Sequence, residues 1–212
     1  NGVYSTKVFV NGKIISHYKF DKLIINESKK LYQVIDYKNY TQKRLKIFKL
    51  FYKSGNKLNF MNTLVDQGIF KVELGKSYQI LIEIEDFSGN KSSIEAFIEG
   101  TENKIKPVEL RGRLIKTDRE YSFTLKNKEL FFPSKTFFND VKIELFENKD
   151  QIEIGPNLFP IANSFEIKFG FNEKDSLRSA QTFIAKKMKK SLVYLPTKLE
   201  ENKLIAKVNE LG

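Results

Sequence analysis

Over residues 78–85, Tyr78, Ile80, Ile82 and Ile84 occupy every second position. A side-chain period of two belongs to a half-buried strand and does not suit the 3.6-residue period of an amphipathic helix. The residues that follow, Asp86-Phe87-Ser88-Gly89-Asn90, are rich in turn formers. Glycine takes positive φ, and Asp or Asn side chains bond their own backbone. Residues 92–98 then run back, so the stretch predicts a hairpin. One Asp without further spaced carboxylates makes a poor calcium site, which leaves Asp86 as turn chemistry.

The same rhythm runs through the chain. Strands are predicted over 3–10 and 13–20 around the hairpin signal Asn11-Gly12, and over 31–35 and 69–74. Asp36 suits the N-cap of a short helix over 37–44, whereas 45–52 satisfies neither period. Residues 99–107 are polar and carry Gly100, Asn103 and Pro107, which marks a boundary. Beyond it, strands are predicted over 108–115, 121–125, 130–132, 141–146, 165–171, 180–185, 192–195 and 204–208. Pro133, Pro156, Pro160 and Pro196 fall between these runs, where a missing N–H costs no ladder bond. Many short strands with regular turn signals predict an all-β chain of two consecutive antiparallel β-sandwich domains. The first covers about 1–100 and holds the one short helix; the second covers 104–212.

The residues restrict the chemistry. The 212 residues include no Cys, no Trp and one His, His17. Zinc at His17 would need carboxylates as its other protein ligands, and thiol chemistry and disulfides are excluded. No glycine-rich phosphate loop and no nucleophile elbow occurs. No apolar run reaches the roughly 18 residues of a membrane helix. Glu83/Glu85 and Glu200/Glu201 are acidic pairs, but Glu83 and Glu85 fall on the polar face of their strand, where solvent is their natural neighbour. The formal charge of +11 rests mainly on lysine, 32 of 37 basic residues, and is spread along the chain. Nucleic-acid readers favour Arg for its bidentate fork, so no nucleic-acid partner is expected. A merely solvated basic surface is the first reading, and attraction to peptidoglycan, another anionic envelope polymer or an acidic partner protein is the second. The densest cluster, Lys186-Lys187-Met188-Lys189-Lys190, reads as a hairpin loop. Phe131, Phe132, Phe137 and Phe138 read as sandwich core; exposed, they would stack a sugar or base.

Several stretches resemble one family. "NGVYSTKVFVNGK" (1–13), "YQVIDYKNYTQKRLKIFKLFYKSGNKLNFMNTL" (32–64) and "IEDFSGNKSSIEAFI" (84–98) are similar to the region after the peptidase domain in large lysostaphin/LytM-type zinc metallopeptidases of Gram-negative bacteria. "LFFPSKTFFNDVKIEL" (130–145), "IGPNLFPIANSFEIKF" (154–169) and "ENKLIAKVNELG" (201–212) resemble its continuation. The family's zinc centre uses H-x-x-x-D and H-x-H elements, and neither occurs here. No catalytic, cofactor-binding or metal residue carries over, and zinc would belong to a peptidase domain absent from this chain.

The resemblance implies immunoglobulin-like sandwiches, the first lacking its opening strands, and sequence flanking both ends. It implies an exported chain in the periplasm or the outer-membrane-associated envelope, and Asn1 in first place suggests a processed, trimmed or partial piece of a longer protein. The expected function is a non-catalytic accessory or scaffolding module of a cell-envelope, metallopeptidase-like protein with protein partners. The alternatives are part of an active zinc peptidoglycan endopeptidase whose catalytic domain lies outside the chain, and a carbohydrate-binding module.

Overall fold

The computed structural model describes residues 2–22, 25–52, 58–102, 111–156, 159–170, 182–188 and 191–211, without the side chains of 26, 27, 63 and 64. The chain is all-β, built of antiparallel sheets, with little helix. It separates into two compact units, Asn1–Val108 and Glu109–Gly212.

The first unit is ordered β1 (Val3–Val10), β2 (Lys13–Lys19), a 3-10 segment (Ile25–Gln33), α1 (Tyr37–Lys43), β3 (Met61–Leu64), a 3-10 turn (Val65–Gly68), β4 (Ser77–Asp86) and β5 (Lys91–Glu99). The strands form one sheet in the order β3-β2-β1-β4-β5. Asn11 and Gly12 both take positive φ, 48° and 75°, as a two-residue hairpin with the strands' own twist requires. The residues between β2 and β3 cover that end of the sheet. Val34, Tyr52, Leu58 and Phe60 pack with Tyr18 and Met61 in one buried cluster. Burial pushes the Tyr18 phenol up to about 12, since the phenolate would lose its hydration. Asp36 caps α1: its Oδ1 accepts the Asn39 backbone N–H at 3.0 Å and its Oδ2 accepts Asn39 Nδ2 at 2.8 Å.

Two expectations fail here. Residues 31–33 belong to the 3-10 segment rather than a strand. Leu31, Val34 and Ile35 are spaced three and four apart, which sets them on one side of a helical turn. Residues 69–74 also form no strand. Phe70 stacks on Tyr78 at 5.6 Å, the Glu73 N–H donates to Tyr78 Oη at 3.0 Å, and Gly75 donates to the Gly100 carbonyl at 2.8 Å. These ties fold the segment back as a turn. A side chain on Gly100 would meet the Glu73 carbonyl oxygen at 2.0 Å, so glycine permits the approach.

The second unit contains β6 (Arg113–Ile115), β7 (Tyr121–Leu125), β8 (Lys128–Phe132), β9 (Val141–Asn148), β10 (Gln151–Gly155), β11 (Phe165–Gly170), β12 (Ala185–Lys187), β13 (Leu192–Tyr194), β14 (Thr197–Glu200) and β15 (Lys203–Val208). A three-stranded sheet, β10-β9-β6, and a five-stranded sheet, β14-β15-β11-β8-β7, share one core, and β12-β13 is a separate hairpin. Ile115, Val141 and Ile143 of the smaller sheet meet Leu130, Phe132, Phe165, Ile167, Leu204 and Ala206 of the larger. This is sandwich packing with alternate residues turned inward. Phe132 is fully buried, with Phe165, Phe123 and Phe137 at 4.7, 5.8 and 5.8 Å between ring centroids.

The alternation that buries Leu130 and Phe132 also turns Lys128 inward, leaving it 2 % exposed. Its three ammonium protons have three acceptors: Glu147 Oε1 at 2.8 Å, the Asn148 carbonyl at 3.0 Å and Asn127 Oδ1 at 3.2 Å. The Phe169 ring lies 5.9 Å away. Lys128 is on β8 and Glu147 on β9, so the pair staples the two sheets together.

Strand bounds also shift. Expected strand 108–115 is seen only as β6, its first residues lying outside the described ones. Of expected strand 180–185, residues 182–184 are not strand, and β12 takes in Lys186 and Lys187. Those two lysines therefore sit in a strand, and the hairpin tip is closed by the Met188 N–H on the Ser191 carbonyl at 2.8 Å.

Candidate functional site

His17 projects from β2, opposite Lys7 of β1. Its Nε2 lies 3.2 Å from Ser5 Oγ. Ser5 is buried at 5 % exposure, and no carboxylate bonds the ring among the described residues, so the pair lacks an accessible nucleophile and an oriented base. Burial first, then the charges of Lys7 and Lys19, hold the imidazole pKa below its ordinary 6.5, against a smaller opposing pull from Asp21. A depressed folded pKa means that the unfolded chain binds the proton more readily. The His17 contribution to stability is thus present above about pH 6.5 and is lost as pH falls through the folded value. An NMR titration of the ring is expected to give a midpoint below 6.5, and Lys7→Ala is expected to raise it. A wild-type midpoint at or above 6.5 would refute this account.

The acidic pairs do not form a site. The register sets Glu83 opposite Lys7 and Glu85 opposite Lys91, an arrangement of cross-strand opposite charges. Both are half-buried rather than open to solvent. Glu200 ends β14 opposite Lys203, and Glu201 and Asn202 make the turn, both at positive φ. Among the described residues, no three His, Cys, Asp or Glu side chains cluster to hold a metal. No helix of the described residues is long and apolar enough to cross a membrane.

Of the four phenylalanines around Pro133, Phe132 and Phe137 are buried and Phe131 and Phe138 half-buried, so this group is core rather than a stacking platform. Exposed rings lie elsewhere, and periodicity gave no sign of them. Phe183 and Tyr194, 59 % and 68 % exposed, meet edge to face at 6.2 Å beside the β12-β13 hairpin. In that hairpin Lys186 bonds Glu210 at 3.1 Å, while Lys187 stays exposed.

The β4-β5 hairpin presents an open surface of the first unit. β5 ends the sheet, and eight of its nine residues are exposed. Ile94 is 64 % exposed and Phe97 73 %. The register pairs Ile82 with Ile94, Ile80 with Ala96 and Tyr78 with Ile98, which makes an aliphatic stripe on one face. Glu95, Phe97 and Glu99 occupy the other. At the turn, Asp86 Oδ1 accepts the Ser88 and Asn90 N–H groups at 2.8 and 3.0 Å, and Asn90 Nδ2 reaches Oδ2 at 2.9 Å. The Asn90 bonds hold the Asp86 pKa below the usual carboxylate range.

Both units are built on antiparallel strands, and exposed large apolar side chains such as Ile94, Phe97 and Tyr194 lie on those strands. Residues 112–212 match the family model of the Zu5-like domain, so the second unit is similar to that family over just under half of the chain. Comparisons with curated proteins and with solved structures give no match.

Proposed function

We propose that this chain is a non-catalytic accessory module of a cell-envelope, metallopeptidase-like protein, and that it holds other protein surfaces through its sheet edges. The observation that carries the reading is β5, a nine-residue outer strand with Ile94 and Phe97 open to solvent. Exposed large apolar side chains on an unpaired edge invite association, and monomeric proteins usually blunt such edges. The resemblance of 1–13, 32–64 and 84–98 to a post-peptidase region supports a location in the periplasm or at the outer membrane. The charge of +11 favours proximity to anionic envelope polymer.

The test uses the purified chain and isolated sacculi, with and without added zinc, and measures released muropeptides. Release no greater than in buffer is expected, together with co-sedimentation that salt weakens. Zinc-dependent release would overturn the reading in favour of an endopeptidase.

A further inference from the structure

We propose that the outer edge of β5 accepts an extended, basic segment of another protein as an additional antiparallel strand. This rests on the reading of the chain as a contact module and names the partner's chemistry.

β4 pairs with β5 from Ser77–Glu99 to Glu85–Lys91 without a register shift, and among the described residues no strand lies on the far side of β5. Edge strands are normally protected by shortness, proline, bulges or a lysine turned to the edge. β5 has nine residues, no proline and no bulge, and its one lysine, Lys91, is its first residue. A strand laid along this edge would extend the sheet's hydrogen bonding and cover Ile94 and Ala96 on one face and Phe97 on the other.

Charge selects the occupant. The hairpin 77–99 carries five carboxylates, Glu83, Glu85, Asp86, Glu95 and Glu99, against Lys91 alone. Its net charge is −4 in a chain of +11, so the remaining residues sum to +15. Two copies meeting edge to edge through β5 would bring ten carboxylates against two lysines, and like charges across strands repel. A segment alternating aliphatic residues with Lys or Arg satisfies both faces. Its aliphatic side chains extend the Ile94, Ala96 and Ile98 stripe, and its cations fall beside Glu95 and Glu99. Gln79 Nε2 already donates to Glu95 Oε1, which holds that carboxylate on the charged face of the strand.

The experiment titrates the full chain into labelled peptides, Lys-Val-Lys-Ile-Lys-Val-Lys and Glu-Val-Glu-Ile-Glu-Val-Glu, and reads anisotropy. The lysine peptide is expected to bind at least about tenfold more tightly, with affinity falling at high salt. Glu95→Lys with Glu99→Lys should reverse the preference while leaving the melting temperature unchanged, because both side chains are exposed. Methylating alternate peptide nitrogens should abolish binding, which a purely ionic contact would not. Equal affinity for both peptides, no binding, insensitivity to N-methylation, or β5-dependent self-association in sedimentation would each overturn the proposal. A negative result here leaves the sacculus assay untouched, and zinc-dependent hydrolysis there would sink the accessory reading whatever β5 binds.

Discussion

Replacing Phe132 by Ala is expected to destabilise the second unit by about 4 kcal/mol, the largest effect of any single truncation proposed for this chain. Phe132 has no exposed surface and sits among Phe123, Phe137 and Phe165, so the lost ring would leave a cavity bounded by rigid side chains. β8 also lies between β7 and β11, so its neighbours on both sides limit collapse into the gap. For a domain near 100 residues the loss corresponds to a fall of roughly 15 °C or more in melting temperature. Differential scanning calorimetry of the variant measures it. A loss under about 1 kcal/mol would show that the core closes over the gap and that the aromatic cluster does not govern stability.

The second large effect is an asymmetry at the buried lysine. Glu147→Ala is expected to cost about 3 kcal/mol, because it strands the Lys128 ammonium at 1 % side-chain exposure with only the Asn148 carbonyl and Asn127 Oδ1 as acceptors. Lys128→Met is expected to cost much less, about 1 kcal/mol or under, since a similar volume is kept and no charge remains inside. Urea denaturation of the two variants decides the matter. Equal losses would mean that the ion pair is stabilising in itself rather than costly only when broken. Phe169 beside Nζ does not replace the carboxylate, because a ring at 5.9 Å offers attraction but no hydrogen-bond acceptor.

What the sequence made legible is what local chemistry decides. The alternation of 78–84 and the turn at 86–90 predicted the β4-β5 hairpin, and Asp36 predicted the start of α1. Elements that depend on distant partners were missed. β3 exists because it pairs with β2, more than 40 residues earlier, and Met61-Asn62-Thr63-Leu64 carries no alternation strong enough to declare it. β10 pairs with β9 through its own alternation of Ile152 and Ile154, a pattern too short to stand out. β14 is fixed by register to β15 across a Glu201-Asn202 turn without glycine.

The apolar pattern of 78–98 also said nothing of whether a second layer covers it. That question is tertiary, and it hid the exposure of Ile94 and Phe97. Lys128 was legible in principle, because it shares the inward parity of Leu130 and Phe132. A lysine at such a position reads as solvated until its partners from another sheet are known.

The uneven placement of charge along the first unit has a mechanical consequence. A cationic body with one anionic flank carries an electric dipole, and a field exerts a torque on it. Beside any polyanionic layer the lysine-rich parts are drawn inward and the flank bearing Glu83, Glu85, Glu95 and Glu99 is turned away. Anchoring would thus orient the first unit, with its open strand presented outward and its cationic parts held against the layer.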